Sequence, residues 1–506
     1  MNRRLYAQLL IFITLFDLVT FSCDYLISNK SITQGIYFYP KGLNPARNYD
    51  FYEFQIYSQI YETLLTIGDD YISLEPRLAQ SWSASNDMKT YLFLLKSGIE
   101  FHDGSSLNAN TVVYSFNYQL RNRPRHSFFK MIKNIWAIDS LTIQIELKYP
   151  FAPFLYTLTS PHGLHAISQK ALKKYGDNID KHPCGTGPFY LYEWIEDKYI
   201  TLKSFSKYRE KNTIDQVKFV LPSNTSEAEI QFKNGQLDIL YMVAGYWLDR
   251  LKWLGRVEYY VQKPLSTLFI GFNLRNKPVD QLKVRQAILR AIDIKRNISI
   301  TNRGNAFVAR CPLPPLYDGF KDLHQNIYNP AEAKSILNRD GISKQITLNF
   351  YVASYLFNRK TLIELIKSQL SKVGINLIVK YFDQWEEFDK AIDDHNCHLF
   401  FNGYSSELIG DPGNFLSALF HSKSENNRTN YKNNDVDKLI DRALSEPNDD
   451  KRHEIYRQIV QIVLADIPAV YLAHVKSHFA YNSQKIKSLA VNPYEFIYYH
   501  RLETYD

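Results

Sequence analysis

Between Ile60 and Phe116 the chain carries a fixed succession of short blocks, IYETLLTIGDD, then LEPRLAQSW, then YLFLLKSGIEFHDGSSLNANTVVYSF, which constrains the fold more than any bulk property does. Strand-like and turn-forming pieces alternate within it: Thr90 to Leu95 is rich in aromatic and apolar residues, and Asp103-Gly104 marks a turn. Further strand-like runs are Gln34 to Tyr39, Thr142 to Leu147, Ile200 to Phe205, Val217 to Leu221 and Thr347 to Tyr351. Helical periodicity marks Tyr57 to Leu65, Val284 to Ile292, Leu362 to Val373 and Lys451 to Leu464. Such a mixture predicts an α/β protein. Its length suggests roughly three units of ~150 residues, and the absence of low-complexity tracts suits domains joined by crossing strands.

The blocks fall in step with a longer pattern. Glu62, Leu64 and Leu65 are followed by Pro76, Leu78, Ala79, Ser81 and Trp82, then by Phe93, Leu95, Gly98, Phe101, His102, Asp103 and Gly104. Gly185-Thr186-Gly187-Pro188-Phe189 follows, then Asn234 to Ile239, Phe272-Asn273, Val284 to Ala287, Tyr328-Asn329-Pro330, Asp411-Pro412 and Ile467 to Tyr471. In order and spacing this resembles the bacterial extracellular solute-binding proteins for peptides and nickel, over nearly all of the chain. Lys96 stands where the pattern has Arg, and Asn110-Thr111 where an acid is common.

The resemblance implies a periplasmic-binding-protein-like fold of two lobes joined by two hinge crossings, with an additional domain inserted in the first lobe. The expected division is a signal segment at 1–22, lobe I at 24–69, 184–264 and 474–506, the insert at 70–183, and lobe II at 265–473. It also implies a function: a monomeric substrate-binding component of an ABC importer, which captures a short peptide between its lobes and hands it to a membrane permease without bond chemistry or a cofactor. A nickel chelate, a glutathione-like modified peptide or a sugar-like ligand, a surface interaction role, and a hydrolase on the same scaffold remain as alternatives. Phosphate cradles, HExxH helices and nucleophile elbows are absent from the sequence, which gives the hydrolase no motif.

Arg3-Arg4 precedes the apolar run Leu9 to Phe16, a basic and then hydrophobic succession of signal-peptide length that predicts export. The segment ends Val19-Thr20-Phe21-Ser22-Cys23, resembling a lipoprotein signal in which Cys23 becomes the lipidated N-terminus; the alternative is an unlipidated segment, cleaved or retained. Cys184, Cys311 and Cys397 leave an odd remainder, so at most one disulfide forms among them. The net charge of +8 comes from Lys and Arg scattered among acids, which reads as a solvated surface and not as a nucleic-acid stripe.

His395-Asn396-Cys397-His398 places three candidate metal ligands within four residues. Strand alternation through Leu399 to Phe401 would send Cys397 and His398 to opposite faces, so a loop-to-strand junction is the preferred reading and no metal is expected.

Peptide-binding relatives hold the ligand's ammonium with an aspartate between a "GW" and an acid-Pro pair. This chain has Gly403-Tyr404-Ser405-Ser406-Glu407-Leu408 before Asp411-Pro412. Counting forward puts Glu407 in the aspartate's place, and counting backward puts Leu408 there. A buried ammonium needs a carboxylate partner, which favours Glu407 over a solvated loop acid. By the same resemblance Trp385, Tyr404 and Ser405, the Tyr241–Tyr246 loop with Met242 and Tyr246, Phe269, Tyr49 and Phe51 line the pocket, with core packing as the alternative for each aromatic. For the ligand's carboxylate, relatives use arginines where this chain has Ile392 and Phe401; Arg359, Arg275 or no residue substitutes.

Overall fold

The computed structural model describes residues 30–47, 50–122, 129–241, 251, 253–325, 328–339, 345–353, 359–405 and 408–505. Three principal sheets organise them. The first lobe is built on a seven-stranded sheet in the order Val257–Gln262, Ser477–Asn482, Ile239–Tyr241, Ser31–Gly35, Gln216–Val220, Tyr199–Ser204, Phe189–Ile195. The second lobe carries a six-stranded sheet in the order Ala306–Val308, Ala469–Val475, Ser266–Phe272, Leu399–Ser405, Ile346–Ala353, Ile375–Phe382. A four-stranded antiparallel sheet, Ala79–Ala84, Thr90–Leu95, Thr142–Leu147 and Ile132–Ala137, forms a smaller unit beside the first lobe.

Local sequence explains these elements. In Thr90–Leu95 the inward positions are Tyr91, Phe93 and Leu95, in Thr142–Leu147 they are Ile143, Ile145 and Leu147, and the helix Ala109–Asn122 brings Val112 and Phe116 into the same core. Ile346–Ala353 and Ile375–Phe382 run parallel, joined through the helix Arg359–Ser371, whose buried face is Leu362, Ile363, Ile366 and Leu370. The central strands of the six-stranded sheet are buried on both faces. Ile270, Phe272, Phe401, Val470 and Leu472 enter one core, while Phe269, Phe400 and Tyr471 enter another on the opposite side.

The chain passes between lobes twice. Strand Val257–Gln262 belongs to the first-lobe sheet and Ser266–Phe272 to the second, so the outward crossing is Lys263 to Leu265. Ala469–Val475 and Ser477–Asn482 make the return with Lys476 alone between them. Two short adjacent crossings form a hinge.

One periodicity reading fails. Tyr57 to Leu65 is not a helix: the helix is Phe51–Tyr57, started by a capping box of Asp50 and Glu53, and the chain then turns through Glu62 into the strand Leu65–Ile67. Tertiary contacts override the local pattern there. The Gly187 and Phe189 N–H groups donate to the carbonyls of Ile60 (2.9 Å) and Gln59 (3.0 Å), and a Cβ at Gly185 or Gly187 would collide with those carbonyl oxygens. The first strand also lies earlier than expected, at Ser31–Gly35, and ends before Tyr39.

Glu62 is the hub of this junction. Arg77 Nε donates to its carboxylate at 2.8 Å, Arg209 donates through both terminal nitrogens at 2.8 and 2.6 Å, and the Thr186 hydroxyl donates at 2.9 Å. His102 docks alongside: its Nε2–H donates to the Gly187 carbonyl at 2.9 Å, and its Nδ1 accepts the Gly185 N–H at 3.4 Å. Burial would raise the Glu62 carboxyl, but the Arg77 charge and the Arg209 hydrogen bond and charge outweigh it and hold the group at about 2. Burial lowers His102 to about 4, so the ring is neutral near pH 7, as its two hydrogen bonds require.

Glu62→Gln leaves the buried Arg77 guanidinium and the partly exposed Arg209 without their counter-charge and is expected to cost about 3–5 kcal/mol of folding stability near pH 7. The folded carboxyl titrates at about 2 and its ordinary value is 4.5, so its contribution is complete above 4.5 and disappears as pH falls through 2. Denaturant titrations should therefore show the wild-type advantage narrowing across that window. Equal midpoints for the two proteins at neutral pH would remove Glu62 from this role.

Candidate functional site

Register across three strands of the second-lobe sheet sets up the site. Phe269 lies opposite Asn402 on one side and Tyr471 on the other, so the three side chains form a row on one face. Phe400, one pleat along from Asn402, meets Phe269 edge-on at 6.4 Å between ring centres. It pairs in register with Gly271, where a Cβ would collide with the Phe400 ring, so this glycine lets the ring lie across the neighbouring strand.

Over this row lies a cavity of about 130 Å³, whose wall is completed by Leu419 and Phe420 from the helix Gly413–Phe420 and by Trp385 and Asp389 from the helix Trp385–Ala391. Arg428 closes one edge. Its guanidinium pairs with Asp389 at 2.7 Å and with Asp393 at 3.3 Å, and Asp393 is shared with Arg275 at 3.3 Å. Tyr471 is buried in the wall, and its hydroxyl has no hydrogen-bond partner among the described residues. Burial raises its pKa well above that of an ordinary phenol, so the group is a neutral donor and acceptor.

Of the residues the sequence assigned to the ligand, Phe269, Trp385 and Tyr404 come together in this cavity. Trp385 opens its helix, stays 42% exposed and tilts against Phe388 at 5.5 Å; Tyr404 meets Phe415 edge-on at 5.0 Å. Ser405, the next residue on the strand, is exposed and not part of the wall.

Phe51 and Tyr241 do not line this cavity. They stack on each other at 4.5 Å in the first lobe, and the Tyr241 hydroxyl donates to the Glu495 carboxylate, which also accepts from Ser477 at 2.7 Å. Tyr241 lies on a strand flanked by two others, and burial there makes it a core residue. Tyr49, Met242, Tyr246, Glu407 and Cys23 lie outside the described residues.

Leu408 is buried, and its carbonyl accepts the Tyr317 hydroxyl at 3.1 Å. Asp411 anchors the following turn by pairing with Arg452 at 2.8 Å and accepting from the Tyr456 hydroxyl at 2.8 Å. Gly410, at φ +97°, faces the Tyr156 ring so closely that a Cβ would collide with it, and the Ile409 N–H donates to the Tyr494 hydroxyl at 3.4 Å. This turn of the second lobe is thus seated against the helix Phe154–Thr157 and the C-terminal segment.

The arginine substitutes are engaged elsewhere: Arg275 binds Asp393, and the Arg359 guanidinium lies 4.3 Å over the Phe401 ring. Ile392 and Phe401, where relatives use arginine, are fully buried core residues. Arg428 was missed by sequence reasoning because no motif surrounds it. The faint signal is Asp389 and Asp393, four apart, which present two carboxylates to one cation.

Cys397 turns inward and its thiol donates to the Leu399 carbonyl at 3.4 Å, while His398 Nδ1 accepts the Asn349 N–H at 3.1 Å and His395 is exposed. Cys184, Cys311 and Cys397 are buried free thiols. Among the described residues no group of three or more His, Cys, Asp and Glu side chains is placed to hold a metal ion, and no helix is long and apolar enough to cross a membrane.

Comparison with known proteins bears on this arrangement. Residues 73–427 match the bacterial extracellular solute-binding proteins, family 5 middle. The chain is 28% identical over 494 residues to the heme-binding protein A of Haemophilus influenzae, covering 90% of this chain and 89% of that protein. It is also 28% identical over 494 residues to the dipeptide-binding protein of Escherichia coli K12, covering 90% and 91%. The ABC transporter-associated periplasmic binding protein DppA of Helicobacter pylori, solved in complex with the peptide STSA, has the same fold, with a TM-score of 0.78 and 24% identity over 92% of this chain and 98% of that one.

Proposed function

This chain belongs to the bacterial extracellular solute-binding proteins of family 5, and from that premise we propose that it captures a short peptide between its two lobes and delivers it to the permease of an ATP-driven importer. The observation that carries the reading is the convergence of Phe269, Trp385 and Tyr404 on one cavity in a lobe joined to its partner by a two-crossing hinge. Aromatic walls bury apolar surface without demanding one particular side chain, which suits a receptor for varied peptides.

The relative named for heme is as similar to this chain as the relative named for dipeptides, so identity does not choose between those ligands. The cavity favours the peptide. About 130 Å³ beside aromatic rings is the scale of one large peptide side chain.

Binding is the whole of the activity in this reading, and the receptor acts as a monomer outside the cytoplasm. Cys23 tethers it by lipid, eight residues before the strand Ser31–Gly35 begins. Glu407, on sequence grounds, pairs with the ligand's ammonium; the competing position, Leu408, is a core residue.

Three measurements test these proposals. Small-angle scattering should show a smaller radius of gyration on saturation with a tightly binding peptide, since a trap gains contacts on both sides only when shut; an unchanged radius would sink the hinge mechanism. Glu407→Gln should weaken a free-amine peptide by about 2–5 kcal/mol and leave its N-acetylated form, already a poor ligand, little changed; equal losses for both peptides would return Glu407 to the solvated loop. Mass spectrometry of the mature N-terminal peptide should find acyl chains on Cys23, and an unmodified or uncleaved terminus would refute the tether.

A further inference from the structure

Almost all of the chain's net charge sits in one stretch. Residues 104–176 contain nine Lys and Arg against the two acids Asp139 and Glu146, a net +7 of the +8 carried by the whole protein. Glu146 is occupied by Lys133 at 2.9 Å, and Asp139 accepts the N–H groups of Leu141 and Thr142. Two helices of this stretch touch, Ala109–Asn122 and Gln169–Tyr175, and neither contains an acid. Gln169–Tyr175 buries Ala171 and Leu172 and turns Lys170, Lys173 and Lys174 to solvent around a surface recess that they line with Gln169. Lys173 lies 5.7 Å over the ring of Tyr114 on the neighbouring helix, where Tyr114, Tyr118 and Arg121 follow at helical spacing. Among the described residues none of Lys170, Lys173, Lys174 and Arg121 forms an ion pair. Lys170 donates to the backbone carbonyl of Asp103 at 3.3 Å, and that residue's carboxylate is taken up by Ser105 and Ser168. Like charges three and four residues apart destabilise a helix, so the lysine cluster is no aid to folding.

The lipid tether proposed above reaches this side of the molecule. The Lys30 carbonyl, at the start of the first strand, accepts the Asp215 N–H at 2.8 Å, and the Asp215 carbonyl accepts the Ser204 N–H at 2.9 Å. The Phe205 ring meets His102 at 4.9 Å, and the Asp103 carboxylate takes the hydroxyl of Ser168, the residue that caps Gln169–Tyr175. Four short contacts therefore join the start of the first strand to the start of the lysine helix. Eight residues separate Cys23 from Ser31 and span at most ~28 Å.

We propose that the face formed by Gln169–Tyr175 and the outer side of Ala109–Asn122 docks on anionic phospholipid headgroups of the membrane that holds the anchor, so that the receptor lies on the bilayer with a fixed side down. The inference rests on the tether reading and adds an orientation to it. Headgroup phosphates neutralise the three unpaired ammonium groups around the recess, and Arg121 extends the contact along the second helix. Each such charge close to an anionic surface strengthens binding on the order of 5-fold.

Sedimentation of the mature receptor carrying Cys23→Ser, which has no acyl chain, with vesicles of phosphatidylcholine and about one-third phosphatidylglycerol tests this. The protein should partition onto them about 100-fold more strongly than onto phosphatidylcholine alone, and the preference should fade as salt shortens the screening length. The triple variant Lys170→Gln, Lys173→Gln, Lys174→Gln should lose nearly all of that preference. A second triple variant, Lys295→Gln, Lys367→Gln, Lys372→Gln, removes as much charge from exposed positions of the second lobe and should keep it. Equal binding to the two kinds of vesicle, or equal losses in the two variants, would overturn the assignment. Retention on heparin without vesicle binding would give the face to a soluble anionic polymer and overturn it as well. The state of Cys23 is read separately: vesicle binding with an unacylated Cys23 removes the tether and leaves the docking face, and acylation without vesicle binding does the reverse.

Discussion

One carboxylate inside a ring of donors carries the junction on which the molecule is assembled. Glu62 comes from the turn after the first helix, Arg77 from the chain entering the four-stranded unit, Thr186 from the chain leaving it, and Arg209 from the loop beyond the strand Tyr199–Ser204. Four separate stretches of backbone are thereby held to one point. Removing such an ion from water is costly, and only complete satisfaction of its lone pairs by two guanidinium groups and the hydroxyls of Thr186 and Tyr208 makes the arrangement favourable. The two glycines around Thr186 let that chain approach closely enough for the bonds to form.

Much of the fold was legible because the pieces that identify it are also the pieces that hold it together. Glu62, Pro76 to Ala79, His102 and the Gly185–Gly187 turn read as a signature in the sequence, and in the structure they form one docking surface. Arg285, within Val284 to Ala287, bonds the carbonyls of Asp466 and Ile467 at the end of the helix Asp449–Asp466. Strands with clean alternation, Thr90–Leu95 and Thr142–Leu147, were readable to the residue because one face is buried. Tyr57 to Leu65 misled because its apolar spacing serves a turn gripped by distant carbonyl contacts, which no local window contains.

The candidate site was less legible. An aromatic residue looks the same in sequence whether it walls a cavity or fills a core, and burial does not separate the two: Phe269 is 4% exposed and lines the cavity, while Tyr241 is 2% exposed and does not. Tyr241 sits between strands and finds Glu495, a residue 254 positions away. Arg428 was invisible for a related reason. Its pairing arises from what stands across from it, an acid on the helix Trp385–Ala391, and leaves no mark in its own neighbourhood.

The return crossing has a mechanical corollary. Tyr471 and Lys476 belong to one nearly continuous ribbon, Ala469–Val475 running into Ser477–Asn482 with a single residue between, and five residues of strand span about 17 Å. A ribbon hydrogen-bonded on both edges is stiff in its own plane and compliant in torsion, so it behaves as a flexure whose fixed end is the cavity wall itself. Whatever occupies the space beside Tyr471 loads the root of that flexure directly. In the proposed reading, recognition and lobe movement share one structural member, and no separate relay between them is needed.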